Sequence, residues 1–333
     1  MISRHLLSLC AIFVLSACSH GIETQAPPPA AREVAAAPAQ AAFTGPLRCE
    51  SLSGPARERA LGLHAFGGVP SDGPVLVRRA YVTEYDAAHR TPRWTAWHAA
   101  PSYRETPKRE GRWSSFRSDP DVEDPVGTRD YVGQYASPDN FARGHLAPYY
   151  ISGGDRDGDE LLAALASDRV TLSDPDDACA VYEINYMTNI APQYHAAFNG
   201  TGDGGQAGLW YQLETEIRGL VDQGTELHLF AGTIYADAPQ RVGPDQDIAV
   251  PDMFYKIIIQ NEEAVAFLFA HRRRLSEDAC ALDAVLEDCI TTIAEIERLT
   301  GLDFLAGLSD AREQRIENAN GVAAWRSWSA GRS

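Results

Sequence analysis

The chain has 333 residues, 44% hydrophobic and 23% charged, enough for one large domain or two small ones with a sizeable core. That balance excludes a disordered chain, a collagen and a coiled coil. Twenty-nine Lys and Arg against forty-six Asp and Glu give a net charge of −17. This excludes an ordinary nucleic-acid packaging protein, but not an enzyme that turns nucleic acid over, because a turnover site needs only local positive charge.

Residues 1–17 read as an export signal: Arg4 supplies a positive start, and Leu6 to Leu15 is an apolar run too short to stay across a bilayer. The run ends in Leu15-Ser16-Ala17-Cys18, which resembles the bacterial lipobox, where the Cys thiol is acylated and becomes the new N-terminus. A soluble secreted protein is the bland alternative. Acylation at Cys18 would attach the chain to a membrane without a transmembrane helix. Neither Ser19 nor His20 is Asp, so lipoprotein sorting by resemblance points to the cell envelope, at the outer membrane. Residues 18–46 are rich in Ala and Pro, with Pro27-Pro28-Pro29 and Pro38, a composition that reads as an extended tether. Residues 47–333 are then expected to form a single domain.

Four further Cys, at 49, 179, 280 and 289, lie in what would be an oxidising compartment. The expected pairs are Cys280–Cys289 and Cys49–Cys179; no C-x-x-C spacing supports the rival reading of a zinc site.

Strand-like runs follow in order: Val75 to Val77, Ala80 to Val82, Arg93 to Trp97 and Glu183 to Ile190. Leu209, Trp210, Leu213, Ile217, Leu220 and Val221 recur at helical spacing and predict an amphipathic helix ending at Gly224. Leu227 to Tyr235, Phe254 to Gln260 and Ala264 to His271 read as strands. Thr292-x-x-Glu295 predicts a helix start and Gly301 its stop. With no regular βαβ rhythm, the expected class is α+β, a largely antiparallel sheet flanked by helices. Charge is uneven: residues 78–117 hold nine basic residues against four acidic ones, and residues 153–177 hold eight acids against two arginines. A polyanion would be drawn to the first segment.

Arg143-Gly144-His145 pairs a group that titrates near neutrality with one that can grip a phosphate bidentately. Alone the tripeptide is as compatible with a merely packed or exposed His. It is followed by Leu146-Ala147-Pro148, then Asn185-x-x-x-Asn189-Ile190-x-Pro192-Gln193, Asn199, and Trp210-x-x-Leu213-Glu214. These elements, in this order, resemble the DNA/RNA non-specific endonuclease family of the ββα-metal superfamily. Arg79 to Asp86, Pro92 to His98, Phe116 to Pro120, Val250 to Lys256 and Glu295 to Phe304 extend the resemblance over roughly residues 75–305.

The resemblance implies a ββα-metal motif and a metal-dependent phosphodiester hydrolase acting on DNA and RNA. It makes His145 the general base, Arg143 the phosphate ligand, Asn199 the ligand of a single Mg²⁺ (Mn²⁺ being the alternative), and Glu214 the holder of that ion's hydration shell. Asn185 and Asn189 are implied to be strand asparagines that support the site. An ion that keeps most of its waters needs few protein oxygens. Phosphate contacts carry little sequence information, in keeping with indifference to base and sugar.

Three departures stand out. The family usually has Asp before Arg-Gly-His, and this chain has Ala142. The glycine-rich stretch 200–205 lengthens the gap to Trp210, so Gln206 competes with Asn199 as the metal ligand. Gly153 to Glu160 is an acidic insertion that reads as a solvated loop, with a Ca²⁺ loop as its sharper alternative. His195 is expected on the surface, and Arg272-Arg273-Arg274 at a solvated strand end. Against the hydrolase stand a lipoprotein of the same fold that only binds nucleic acid or is purely structural, and an enzyme for smaller phosphodiesters.

Overall fold

A computed structural model describes residues 47–131, 133, 141–156, 175–200, 207–272 and 286–330. The described residues cluster as one compact unit. The signal and tether readings, Cys18, Gln206, Arg273, Arg274 and Cys280 lie outside the described residues, and so does the acidic insertion after Arg156. Among the described residues no helix is long and apolar enough to cross a membrane.

In chain order the elements are α1 (Gly54–His64), β1 (Val75–Val77), β2 (Val82–Asp86), β3 (Thr91–Ala99), β4 (Phe141–His145), α2 (Tyr149–Ser152), α3 (Pro175–Glu183) and β5 (Ile190–Tyr194). Then come α4 (Leu209–Asp222), β6 (Leu227–Ile234), β7 (Arg241–Val242), β8 (Ile248–Ala249), β9 (Met253–Gln260), β10 (Glu263–Ala270) and β11 (Ile290–Thr291). The last helices are α5 (Ile293–Thr300), α6 (Asp310–Glu317) and α7 (Val322–Ala330).

The main sheet runs β1-β2-β3-β6-β9-β10-β11 with every pairing antiparallel. Both its faces are covered, which is why β9 and β10 read as continuous apolar runs. Along β9, Phe254 and Ile258 join a core with Trp97, Leu229 and the α4 residues Trp210, Leu213, Ile217 and Leu220. The alternate residues Tyr255, Ile257 and Ile259 join a second core with Phe230, Phe304, Ile293 and Ile296 of α5 and Ile316 of α6. The α+β reading with a largely antiparallel sheet is therefore correct.

α4 buries the six residues that its spacing singled out. At α5 the Thr292 side chain accepts from the Glu295 amide, and Gly301 closes the helix in the left-handed region at φ 66°, which a glycine adopts without penalty. The strand reading of Glu183 to Ile190 is overturned. Glu183 ends α3, Met187–Asn189 is a single 3₁₀ turn, and the strand starts only at Ile190. Its polar side chains are spent on hydrogen bonds to other segments, Asn185 to His145 and Trp113, Thr188 to Asp119 and Asn189 to Ala147, so the apparent alternation marks no sheet face.

β4 and β5 form a separate antiparallel ladder that pairs His145 with Ile190 and Ala142 with Gln193. With α4 following, they make a ββα unit packed on the α4 face of the sheet. Cys49 and Cys179 are joined by a disulfide across 130 residues. In the chain-entropy picture a loop of that length is worth about 5 kcal/mol. The bond fixes the start of the described chain to α3, the helix that leads into Asn185.

Candidate active site

The site begins with Gly144. A Cβ there would run into the buried Gln193 side chain on the paired strand, so glycine leaves the space that side chain occupies. Residues two apart on a strand share a face, and Arg143 and His145 accordingly line one cavity of ≈ 420 Å³. Asn199, from the π-helical turn His195–Asn199, and Glu214, from α4, line the same cavity. Three segments far apart in sequence thus converge on one space.

Past His145 the chain is held by one side chain. Asn189 accepts from the Ala147 amide (2.9 Å) and donates to the carbonyls of Ala147 (2.9 Å) and Ile184 (3.0 Å), while its own carbonyl takes the Leu146 amide. It is fully buried. Asn185 does the complementary task, its Oδ1 accepting from His145 Nε2 at 3.1 Å and its Nδ2 donating to the Trp113 carbonyl. With Nε2 as the donor, Nδ1 keeps the lone pair and is left as an acceptor. Asn185 thus bonds the imidazole and Asn189 the chain just after it, both from the turn before β5 and not from a strand. A parallel bridge between Arg117 and Tyr186 ties that turn to the segment carrying Phe116.

The imidazole is 9% exposed and packs against Phe116, ring centroids 5.3 Å apart. Burial, then Arg109, and then Arg143 push its pKa down to about 3, against the opposing hydrogen bond from Asn185. It is neutral throughout the ordinary pH range. The Arg143 guanidinium lies over the Phe116 ring at 4.4 Å, and Arg109 lies over the same ring at 5.4 Å and near Tyr149.

The basic segment 78–117 does not act as one surface. Arg78 is buried against Asp119 and Asp121, Arg79 pairs with Asp176 and Glu183, and Arg93 pairs with Glu84. From that segment Arg109 lines the cavity, joined there by Arg143 and Arg218. Asp155, at the start of the acidic insertion, is buried, so the solvated-loop reading fails at that residue. His195 is exposed, as expected, and also lines the cavity.

Glu214 is gripped from below. Lys256 of β9 is wholly inaccessible, its Nζ 3.2 Å from Glu214 Oε1 and 3.8 Å from the centroid of the Trp210 ring. Burial lowers the Lys256 pKa and Glu214 opposes that shift. A buried ammonium needs its counter-ion, so Glu214 is held in one place. Asn199 is oriented in a related way: its Nδ2 donates to Gln193 Oε1, which leaves Oδ1 as its acceptor. An amide oxygen and a carboxylate facing one cavity suit a hard divalent cation.

Residues 65–311 match the profile of the DNA/RNA non-specific endonuclease family. The chain belongs to that family. A nuclease of Serratia marcescens is 28% identical over 268 residues, covering 77% of this chain and 85% of that protein. The mitochondrial nuclease EXOG of Danio rerio is 24% identical over 241 residues, covering 68% of this chain and 60% of that protein. A chain of the EndoG/EndoGI complex superposes with a TM-score of 0.55 at 19% identity, covering 78% of this chain and 96% of that one, a likeness of fold.

Among members of this endonuclease family, the cavity of this chain carries groups that its motifs did not reveal. Tyr211 and Arg218 flank Glu214 at helical spacings of three and four, a signal present in the sequence. Arg109, Phe116 and Lys256 are found only through the fold. The Glu214–Lys256 pair makes one outcome specific. Glu214→Ala strands a buried ammonium and should lower the unfolding free energy by about 3–5 kcal/mol, measured by denaturant titration at pH 7. The loss should largely vanish in Glu214→Ala/Lys256→Met.

Proposed function

We propose that the protein is a Mg²⁺-dependent endonuclease that hydrolyses DNA and RNA without regard to sequence or sugar. The observation that carries this reading is the convergence of His145, Arg143, Asn199 and Glu214 on one cavity. A family defined by DNA/RNA non-specific endonucleases supports the substrate class.

Arg143 and Arg109 bind the scissile phosphate, whose charge they offset. A water in the cavity gives its proton to His145 Nδ1 and attacks phosphorus. The bond to the 3′ oxygen breaks, leaving a 5′-phosphate and a 3′-hydroxyl that takes its proton from solvent. Asn185 holds the imidazole in the tautomer that can accept. Burial and then these two guanidiniums depress His145 in the free protein, and the charge of a bound phosphate offsets part of the guanidinium share, so substrate binding raises the basicity of the ring. Asn199 Oδ1 and the Glu214 carboxylate are the groups that would hold the divalent ion and its waters. Such an ion, when bound, stabilises negative charge on the phosphate and the leaving oxygen. Mn²⁺ would suit the same oxygens.

Ala142 lines the cavity where the family usually has Asp. It displaces none of the base, phosphate or cation groups, which favours a working enzyme over an inactive binding protein of the same fold. Plasmid DNA and RNA should both be cut in Mg²⁺ and spared in EDTA, and His145→Ala should lower the rate by about 10²–10⁴. Absence of cleavage in any divalent metal would select the binding or structural alternative; cleavage of small phosphodiesters alone would select the third.

The lipobox-like segment adds a location to this reading: a cell-envelope enzyme, anchored by lipid at Cys18, with residues 18–46 as its tether. Intact-mass analysis of the protein expressed in a bacterial host should show an acylated N-terminal Cys18 that Cys18→Ala abolishes. An unmodified Cys18 in a secreted product would contradict the anchor.

A further inference from the structure

Outside the cavity, on the opposite face of the main sheet, three carboxylates meet. Glu297 lies in α5, Asp303 follows the Gly301 reversal, and Glu317 ends α6. One oxygen from each lies within 4.8 Å of the others. Two oxygens on one Ca²⁺ at about 2.3–2.6 Å can be at most about 5 Å apart, so the spacing is that of a common cation. The reversal is held shut by the Phe304 amide donating to Glu297 Oε1 at 2.7 Å, which brings Asp303 back beside α5.

Acidic side chains crowd at many surfaces without an ion, but Glu317 is not a surface residue. It is 7% exposed, and its Oε1 is buried with no hydrogen-bond partner. Glu297 and Glu317 are hydrogen-bonded to each other, and the other charges acting on the pair, Asp303 and Glu313, are carboxylates as well. The nearby arginines are engaged elsewhere, Arg312 and Arg315 with Glu262 and Arg298 with Glu295. Burial and these neighbours push the Glu317 carboxyl up to about 8. Converging buried negative charge requires either a bound proton or a bound cation to offset it.

We propose that Glu297, Asp303 and Glu317 form a second cation site, separate from the catalytic cavity, that takes Ca²⁺ and pins the end of α6 to α5. Ca²⁺ fits better than Mg²⁺. Three carboxylates from two helices and a loop form an irregular set, and exposed Asp303 leaves room for waters, whereas Mg²⁺ demands near-octahedral geometry. The helices so joined bear Ile293, Ile296 and Ile316 of the second core, so the ion would stabilise the packing of that sheet face.

The test uses full-length protein carrying Asn199→Ala, which silences the catalytic cavity, titrated with CaCl₂ by calorimetry after chelator removal. One Ca²⁺ should bind per chain. Adding Glu317→Gln or Asp303→Asn should weaken that binding at least tenfold. At about 100 times its dissociation constant, Ca²⁺ should raise the unfolding midpoint by about 5 °C, and should leave the Glu317→Gln protein unmoved. In EDTA, Glu317→Gln should unfold no earlier than its parent, because glutamine takes the place of a carboxyl that must otherwise bind a proton to be buried there. Absence of Ca²⁺ uptake by Asn199→Ala, or equal uptake with Glu317→Gln, would overturn the proposal. Earlier unfolding of Glu317→Gln in EDTA would do so too, since Glu297 and Glu317 would then be a proton-sharing structural pair.

Discussion

The placement of His145 depends on a buried asparagine, Asn189, whose side chain bonds only backbone groups. Asn189 uses its carbonyl oxygen and both amide hydrogens to bind the backbone of Ala147 and Ile184, and so sets where the chain turns after His145. The β4–β5 ladder fixes the strand before that turn, and Gly144 leaves room there for the buried Gln193 side chain. Asn185, in the same turn, then meets the imidazole. The result is a ring with its tautomer chosen and Nδ1 left as the acceptor.

Charge is organised by a similar division between scaffold and site. With a net charge of −17 the molecule as a whole repels a polyanion. Its arginines are not interchangeable: Arg78, Arg79 and Arg93 neutralise buried or half-buried carboxylates, while Arg109, Arg143 and Arg218 face the cavity. Phe116 serves as a common platform for Arg109, Arg143 and His145, so the guanidiniums are preorganised on an aromatic ring. The absence of a carboxylate at Ala142 leaves the positive field of Arg143 unopposed from that position.

Much of the fold was legible because periodicity reports burial. The α4 stripe, the Thr292 cap and Gly301 stop, and the apolar runs of β6, β9 and β10 all describe faces that meet a core. The turn before β5 was misread as strand because Asn185, Thr188 and Asn189 are polar for hydrogen bonding and not for solvent exposure, and a pattern of polar and apolar letters does not distinguish the two. His145, Arg143, Asn199 and Glu214 came from motif resemblance, which carries position but not partners. The partner of Glu214 required the sheet register: Lys256 sits mid-strand in an apolar run, and nothing local says that α4 lies over it. Arg109 has no local signal, since its place in the cavity follows from the path of an irregular segment. The excess of basic residues over 78–117 was real but misleading, because composition cannot tell a buried ion pair from a binding surface.

The claim on which the account turns is that the free protein holds His145 neutral, with its proton on Nε2. ¹⁵N NMR of imidazole-labelled protein, with the His145 resonances assigned by comparison with His145→Gln, reads both properties directly. At pH 5, where an ordinary His would be largely protonated, the account predicts a neutral ring with a protonated Nε2 and a bare Nδ1, as expected for a pKa pushed down to about 3. A doubly protonated imidazolium at that pH, or a proton residing on Nδ1, would contradict it.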